Sequence, residues 1–442
     1  MKSLLLFLLW FVLQPVYSQN GFNFQNDDSR VVIPFQLINN LIFVPFKVNG
    51  IELNFLLDTG VSETILFSLE EKKEFRFVNT ERIILKGLGS QKSVEGLKSA
   101  NNMLAFGNMI SRNHLLYIVL DPEFNFSSFV GIPVNGIIGY QFFRNNLVEI
   151  DYLHKKIIVY KDIKTNRRKI GKKASIIPMS IEKSKPYISC NVRVGKEVRP
   201  VKLLIDVGNS DAVWLFQNND RAHQIPSKNF DDYLGRGFSG DIEGKRAKIA
   251  SFEVGNFLLN NPIAAFPDSI SIKNVAMVQD RMGSVGGEIM RRFKVVFDYT
   301  KQQLFLKKNR NYNSPFTYNR SGIDIEHNGL EWAPSIVKLE TVSTPGEYSK
   351  SGGTKVYQSN FKYNFELKPV YRVAHVRKNS AAAKTGIKSG DILLKINRLN
   401  PRDMTLQDIN DLLKSGQNKW IILVVQRNNM ELTFQFQLDD IL

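Results

Sequence analysis

The sequence predicts a mainly β protein that consists of two like halves followed by a smaller α+β domain. Short runs of β-branched and aromatic residues, such as residues 31–35 and 41–46, are broken by Asn-rich turns, as is typical of β-strands. A strand-and-turn motif at residues 55–62 returns at residues 203–210. Beyond residue 360 the pattern changes, because strand-like and helix-like segments alternate there.

Both copies of the motif place an aspartate and a glycine after an apolar strand. Asp58 and Gly60 belong to the first copy, and Asp206 and Gly208 follow 148 residues later. One Asp-x-Gly sequence by itself indicates only a tight turn, since both residues are common in turns. If the copies belong to lobes related by a twofold axis, however, equivalent turns near that axis face each other.

Other residues repeat at the same offset, which supports a duplication of the whole half. The aligned pairs are Gly87 with Gly235, Gly89 with Gly237, Gly96 with Gly244, and Gly107-Asn108 with Gly255-Asn256. After one deleted residue, Gly139 aligns with Gly286, and Asp151-Tyr152 with Asp298-Tyr299. Each half also ends alike, with an apolar strand, a glycine, a short helix-like stretch and a returning pair of strands.

Two glycine-rich segments lie between strand-like runs, one in each half. They contain Gly87 and Gly89 in the first half, and Gly235 and Gly237 in the second. Glycine frees the backbone, so these segments suit hairpin tips that bend over a cleft. A plain surface hairpin without a role in substrate binding is an equally open interpretation.

The amino terminus predicts export. Residues 1–18 combine a charged start, an apolar run and small residues at the cleavage position, as in a cleaved signal peptide. No second long apolar run follows, so we expect no membrane span in a periplasmic or secreted protein. Cys190 is the single cysteine, which rules out an internal disulfide.

The charge of the chain does not by itself indicate a nucleic-acid partner. The net charge is +17, but the basic residues are spread through the sequence. Their densest cluster, residues 161–173, is interpreted as a solvated connector between the halves. The five histidines have no ligand-like spacing, so we expect neither a metal nor a cofactor.

The duplicated motif resembles the active-site turns of pepsin-like and retropepsin-like aspartic proteases. The Asp-Thr-Gly turn and the later apolar-apolar-Gly at residues 137–139 follow the order of that family. The resemblance implies a bilobal pair of β-barrels, with lobes at residues 28–165 and 174–308. It also implies that Asp58 and Asp206 form a catalytic dyad beneath the glycine-rich flaps.

The chemistry of such a dyad needs both carboxylates. Two like charges in contact cannot both ionise readily, so one group keeps its proton while the other takes a proton from a bridging water. The resemblance makes Thr59, Gly60, Val207 and Gly208 the active-site loops. Val207 departs from the family, which usually has Thr there and links the loops through both hydroxyls. An inactive, protease-like scaffold is therefore the alternative.

The C-terminal segment is similar to PDZ domains, over about residues 318–442. Its signature is the run at residues 379–393, followed by a helix that Thr405 is expected to cap. PDZ domains bind an extended segment or a peptide C-terminus along a sheet edge. Ser321, Gly322 and Ile323 occupy the place of the carboxylate-binding loop. A stabilising appendage with an unused groove is the other interpretation.

Two functions thus follow as hypotheses from the sequence. The first is an exported aspartic endopeptidase whose PDZ-like domain docks a protein substrate or a partner. The second is a catalytically silent binding protein in which the lobes serve as a scaffold. Residues 312–360, rich in Asn, Ser, Tyr and Gly, are expected to contain a loop before the PDZ-like signature.

Overall fold

The computed structural model describes residues 21–69, 77, 79–85, 94–121, 126–217, 224–237, 240–273, 277–343 and 356–442. The chain divides into two compact units. The first runs to residue 125 and continues over residues 133–317 with residue 442, and the second comprises residues 126–132 and 318–441. The expected signal peptide and the expected flap residues Gly87 and Gly89 lie outside the described residues.

The first half of the chain is built almost entirely from strands. In the described residues they are β1 (Asn23–Phe24), β2 (Arg30–Pro34), β3 (Gln36–Ile38), β4 (Leu41–Val48), β5 (Ile51–Leu57), β6 (Thr64–Leu66), β7 (Thr80–Leu85), β8 (Val94–Phe106), β9 (Met109–Val119), β10 (Gly136–Ile138), β11 (Leu147–Asp151) and β12 (Lys156–Tyr160). The helices are α1 (Ser127–Val130) and α2 (Tyr140–Phe143).

The second half repeats this order of elements. Its strands are β13 (Ser175–Pro178), β14 (Ser180–Glu182), β15 (Lys185–Val194), β16 (Glu197–Ile205), β17 (Val213–Leu215), β18 (Asn229–Gly237), β19 (Gly240–Lys248), β20 (Ser251–Val254), β21 (Phe257–Asn260), β22 (Ile263–Pro267), β23 (Arg281–Val285), β24 (Phe293–Asp298) and β25 (Gln303–Lys308). Its helices are α3 (Ile163–Gly171), α4 (Ser269–Ile272) and α5 (Gly287–Met290).

The two halves have the same arrangement of strands around the motif. In the first, β10 runs parallel to β5 and antiparallel to β6. In the second, β23 runs parallel to β16 and antiparallel to β17. A third sheet, in the order β13-β25-β24-β11-β12-β2, takes strands from both halves. The duplication inferred from the sequence is therefore a duplication of structure.

The connector between the halves is solvated, as the sequence predicts, and it forms helix α3. The Asp162 side chain accepts a hydrogen bond from the Thr165 N–H and caps α3. Ile163 and Ile170 pack against a small apolar cluster, although no residue of the helix is fully buried. Arg167 pairs with the buried Asp298. Ile163 and Ile170 are two helical turns apart, so both lie on the same face, and their contacts stabilise this basic segment as a helix.

The second unit contains one mixed helix-and-sheet core. Its strands are β26 (Ile323–Ser343), β27 (Val356–Val376), β28 (Ile392–Ile396), β29 (Trp420–Arg427) and β30 (Met430–Gln437), in that order in the sheet. Short 3₁₀ turns occupy Ala383–Thr385 and Pro401–Asp403, and α6 is Leu406–Lys414. Thr405 and Asp408 form a reciprocal capping box at α6, which confirms the predicted helix start.

The long β26 and β27 were not expected, because the composition of residues 312–360 favoured a loop. Side chains alternate between the two faces of a strand, and every second residue of β26 here is apolar. On one face Trp332 pairs with Leu367, and Pro334 with Phe365. Trp332 and Phe365 are 67% and 61% exposed. The Gly-rich part of the expected loop, residues 344–353, lies outside the described residues.

The second unit also takes in residues 126–132, a short segment from far earlier in the sequence. Its helix α1 packs against β26, and Val130 is buried. Gly131 ends the helix with φ +80° and lies against the Leu406 side chain. None of the described helices is long and apolar enough to cross a membrane.

Candidate active site

The first Asp-x-Gly turn is held by the strand that threads between β5 and β6. The Asp58 N–H donates to the carbonyl oxygen of Ile138 at 2.9 Å, and the Gly60 N–H donates to Asp58 Oδ1 at 2.7 Å. A methyl group built on Gly139 would lie 2.3 Å from the carbonyl oxygen of Asp58. Glycine at position 139 therefore permits the close approach of the two backbones.

The second turn is built in the same way. The Asp206 N–H donates to the carbonyl oxygen of Val285 at 2.9 Å, and the Asn209 N–H donates to the Asp206 carbonyl oxygen at 3.2 Å. A methyl group on Gly286 would lie 2.6 Å from the carbonyl oxygen of Asn209. Gly139 and Gly286 are therefore both explained by the same close approach of a strand end to the backbone of an Asp-x-Gly turn.

The fold brings the two predicted carboxylates into contact. A methyl group on Gly60 would lie 3.1 Å from the Asp206 carboxyl carbon, and one on Gly208 would lie 2.2 Å from that of Asp58. The carboxyls of Asp58 and Asp206 hydrogen-bond to each other. Both residues are only partly buried, so solvent reaches the pair. Because Gly60 and Gly208 have no side chain, each leaves room for the carboxyl group of the aspartate from the other half.

Thr59 joins the two turns through its hydroxyl. Thr59 Oγ1 donates to the carbonyl oxygen of Ile205 at 2.6 Å and accepts from the Val207 N–H at 3.1 Å. Thr59 and Val207 are both fully buried. Because valine has no hydroxyl, Val207 cannot make the equivalent two bonds to the first loop. One hydroxyl instead of two connects the loops across the dyad.

Reciprocal contacts beside the dyad follow the same twofold relation. Asn40 Nδ2 donates to the carbonyl oxygen of Ser210 at 2.9 Å, and Ser62 Oγ donates to that of Lys183 at 3.2 Å. Ser62 and Ser210 are 148 residues apart, the offset of the two aspartates. Asn40 also donates to Glu288 at 2.9 Å. Sequence reasoning missed these residues, because hairpin tips at Asn39-Asn40 and Lys183-Ser184 share no residue type.

The dyad favours retention of a proton. Burial raises the pKa of Asp58 well above its usual value, and the neighbouring charge of Asp206 raises it further. Burial also raises the pKa of Asp206, although Arg281 and the hydrogen bond with Asp58 act in the opposite direction. Two carboxyls of this kind can hold one proton between them, as acid-base catalysis on a bound water requires.

The predicted flap of the second half is a β-hairpin. Gly235 and Gly237 lie on β18, which pairs with β19, and Gly235 has φ +134° at an irregularity in the register. Only glycine adopts that conformation without strain. Residues 238 and 239, between the two strands in the sequence, lie outside the described residues, as do Gly87 and Gly89 in the first half, so the flap role stays a prediction.

The predicted carboxylate-binding loop of the second unit is closed by its own side chains. Asn319 Oδ1 accepts from the N–H groups of Ser321 and Gly322, at 3.1 and 3.2 Å. The Ile323 N–H donates to Ser321 Oγ at 3.1 Å. A ligand carboxylate would have to displace the Asn319 side chain to reach these donors.

Comparison with known proteins identifies one domain family in the sequence. Residues 372–427 match the family model of the PDZ domain. A solved structure, that of the aspartic proteinase from Irpex lacteus, is 11% identical, with a TM-score of 0.42, and the match covers 64% of this protein and 99% of that one. A search of curated proteins found none that matches the sequence. From its duplicated strand topology and the family match, the protein joins a pair of like β lobes to a C-terminal PDZ domain.

Proposed function

We propose that the protein is an aspartic endopeptidase that hydrolyses peptide bonds in protein substrates. The observation that carries this proposal is the contact between Asp58 and Asp206, each seated against the loop glycine of the other half. A water bound between the two carboxyls would lose a proton to the charged one and attack the scissile carbonyl. The protonated carboxyl would donate to the carbonyl oxygen.

We further propose that the protein is exported, to the periplasm or out of the cell, since residues 1–18 have the pattern of a signal peptide. The PDZ domain would dock an extended segment of a substrate or of a partner protein. Because the N–H groups of Ser321, Gly322 and Ile323 are already bonded, internal segments suit this docking better than a peptide C-terminus.

The second candidate function is a catalytically silent binding protein, and Val207 favours it. With one hydroxyl instead of two between the loops, the dyad is held less rigidly than a fully paired network would hold it. In that case the PDZ domain would carry the function, and the lobes would be a scaffold.

Cleavage of an unfolded protein and of a peptide library separates these candidates. The wild type should cut both, and Asp58→Asn and Asp206→Asn should each abolish cutting while the proteins stay folded by circular dichroism. Glu253→Gln, which removes an exposed carboxylate on β20, away from the predicted flap, is the charge-matched control. Equal cleavage by the wild type and Asp58→Asn would refute the enzyme, and would point to a contaminating protease.

A further inference from the structure

The two aspartates occupy equivalent turns but meet different charges, and the register of the strands shows why. Side chains alternate along β16, so Lys202, Leu204 and Asp206 share one face. Tyr187 of β15 pairs with Leu204, and Arg281 of β23 pairs with Lys202. Paired residues point to the same side of a sheet, so Tyr187 lies on the face of Asp206. The register of β23 shifts directly after the pair of Arg281 and Lys202, but the hydrogen bond between Arg281 and the Tyr187 side chain puts Arg281 on that face as well.

The same register places a second cation beside Asp206. Continued by one step of two residues, the pairing of Tyr187 with Leu204 brings Lys185 opposite Asp206. The charge of Lys185 acts on Asp206 and also on Asp58. Lys185 is partly exposed, so solvent reaches its side chain.

Arg281 is held rigidly in this position. It is 6% exposed, its Nε donates to the carbonyl oxygen of Gly283 at 3.1 Å, and its guanidinium lies 5.1 Å from the centre of the Phe216 ring. It also hydrogen-bonds to the Tyr187 side chain. A buried cation is costly without a negative partner, and the carboxylate whose charge acts on Arg281 is that of Asp206.

The first half has neutral residues at the corresponding places. Leu56 pairs with Phe43, and the same continuation of the register puts Leu41 opposite Asp58. Val134 is the equivalent of Arg281 at the offset of 147 residues, and it is fully buried. The equivalent places are thus apolar in the first half and cationic in the second, and Arg281 is the cation that acts on Asp206 and not on Asp58 in the described residues.

The other titratable groups around the pair do not cancel this difference. On the side of Asp206, Lys202 is bonded to Glu182 at 2.8 Å. Tyr187 there is a phenol whose pKa burial raises, so it carries no charge near neutral pH. On the side of Asp58, the phenol of Tyr299 is buried and neutral for the same reason. Lys185 and Arg281 therefore set the local charge.

We propose that Arg281 and Lys185 are positioning residues that keep the Asp206 carboxylate charged and leave the shared proton on Asp58. This inference rests on the proposed function. Asp206 takes a proton from the water, whose oxygen bonds to the carbonyl carbon, and Asp58 gives its proton to the carbonyl oxygen. Asp206 then passes its proton to the nitrogen as the C–N bond breaks, and Asp58 recovers one from a hydroxyl of the intermediate.

The test is the pH dependence of the dyad in charge-deleted variants. In Arg281→Met the lower limb of the kcat/KM profile should move to higher pH by about one unit, because an opposite charge nearby stabilises the ionised carboxyl. Lys185→Met should move it less, and the effect of Lys185 should shrink at high salt, since that ammonium is partly exposed. Arg281→Lys keeps the charge and should restore most of the wild-type profile.

Lys307→Met is the matched control, because it removes one exposed positive charge on β25 and should leave the profile unchanged. An identical shift in this control and in Arg281→Met, or no shift in Arg281→Met, would overturn the proposal. Carbon-13 NMR titration of the aspartate carboxyls in the same proteins gives the answer without any cleavage. If the wild type cuts no peptide, the proposed enzymatic function is wrong. A carboxyl group that titrates at higher pH in Arg281→Met than in the wild type would still support the role of Arg281.

Thermal unfolding of every variant shows whether that variant is folded. If Arg281→Met does not fold, Lys185→Met and Arg281→Lys carry the test. A salt-dependent upward shift in Lys185→Met then supports the proposal, and an unshifted titration in that folded variant overturns it.

Discussion

Glu149 of β11 lies directly opposite Val296 of β24 in the sheet that both halves build. The two residues are 147 apart, so each is the equivalent of the other in the duplicated sequence. On either side of them the pairs repeat with exchanged roles, Leu147 with Asp298 and Asp151 with Lys294. A local twofold axis therefore passes between Glu149 and Val296, as in an isologous interface. The same symmetry sets Gly60 against Asp206 and Gly208 against Asp58.

The Thr59 hydroxyl should be a main link between the two loops. Thr59→Val removes both of its bonds and leaves the Ile205 carbonyl and the Val207 N–H without that partner in a buried site. We expect the free energy of unfolding to fall by about 1–3 kcal/mol, measured by denaturant titration. Thr59→Ser keeps the hydroxyl and should lose clearly less. Equal losses in both variants would show that the methyl group, rather than the hydroxyl, matters.

Val207→Thr should complete the connection from the other side. By the twofold relation, its hydroxyl would meet the Leu57 carbonyl and the Thr59 N–H. We expect the variant to gain about 0.5–1.5 kcal/mol in the free energy of unfolding.

The control for Val207→Thr is Val213→Thr, which buries the same hydroxyl in a strand outside the loops. It should be destabilised by about 1–3 kcal/mol, because burial of an unpaired hydroxyl is costly. Similar destabilisation of both variants would contradict the proposed symmetry of the loops.

His114 should make the first unit less stable in acid. The ring lies between Thr64 Oγ1 and Ser111 Oγ, at 2.8 Å from each, and burial lowers its pKa to about 4. Between pH 6.5 and pH 4 the unfolded state binds the proton and the folded protein does not, so stability falls as the pH falls. The contribution lost is at most about 3 kcal/mol.

Denaturant titrations at a series of pH values test this expectation. The free energy of unfolding of the wild type should fall more steeply below pH 6.5 than that of His114→Gln, which has no group that titrates there. Parallel curves for the two proteins would mean that His114 has the same pKa in the folded and the unfolded state.

Gly131 should be needed to hold residues 126–132 in the second unit. A methyl group there would lie 2.9 Å from Leu406 Cβ, on a backbone with φ +80°. Gly390 has a similar φ of +92° and open space around it. We expect Gly390→Ala to lose about 1–2 kcal/mol from backbone strain alone. Gly131→Ala should lose about 1–3 kcal/mol more, because it also overpacks the site.

Hydrogen exchange of residues 126–132, together with denaturant titration, measures the effect of Gly131→Ala. Faster exchange in that segment is expected in Gly131→Ala and not in Gly390→Ala. If Gly131→Ala and Gly390→Ala behave alike, the contact with Leu406 does not hold the segment.

Several features were open to prediction because their cause is local. The turn at Asp58 closes through a hydrogen bond from the Gly60 N–H, two positions away. Thr405 caps α6 through bonds to a residue three positions away. The strands β26 and β27 were missed for the opposite reason. Their Asn, Ser and Gly content favours loops, whereas pairing of distant residues such as Trp332 and Leu367 stabilises the strands.

The sequence by itself determined the duplication, the two aspartates and the turns that carry them, because strand and turn preferences act over a few residues. Only the tertiary structure decided what each aspartate faces. Strand pairing and a bond to Tyr187 place Lys185 and Arg281 on the face of Asp206, while Leu41 and Val134 are the equivalent residues of the other half. Register depends on the packing of segments far apart in the sequence, so no short pattern reveals which charges will meet.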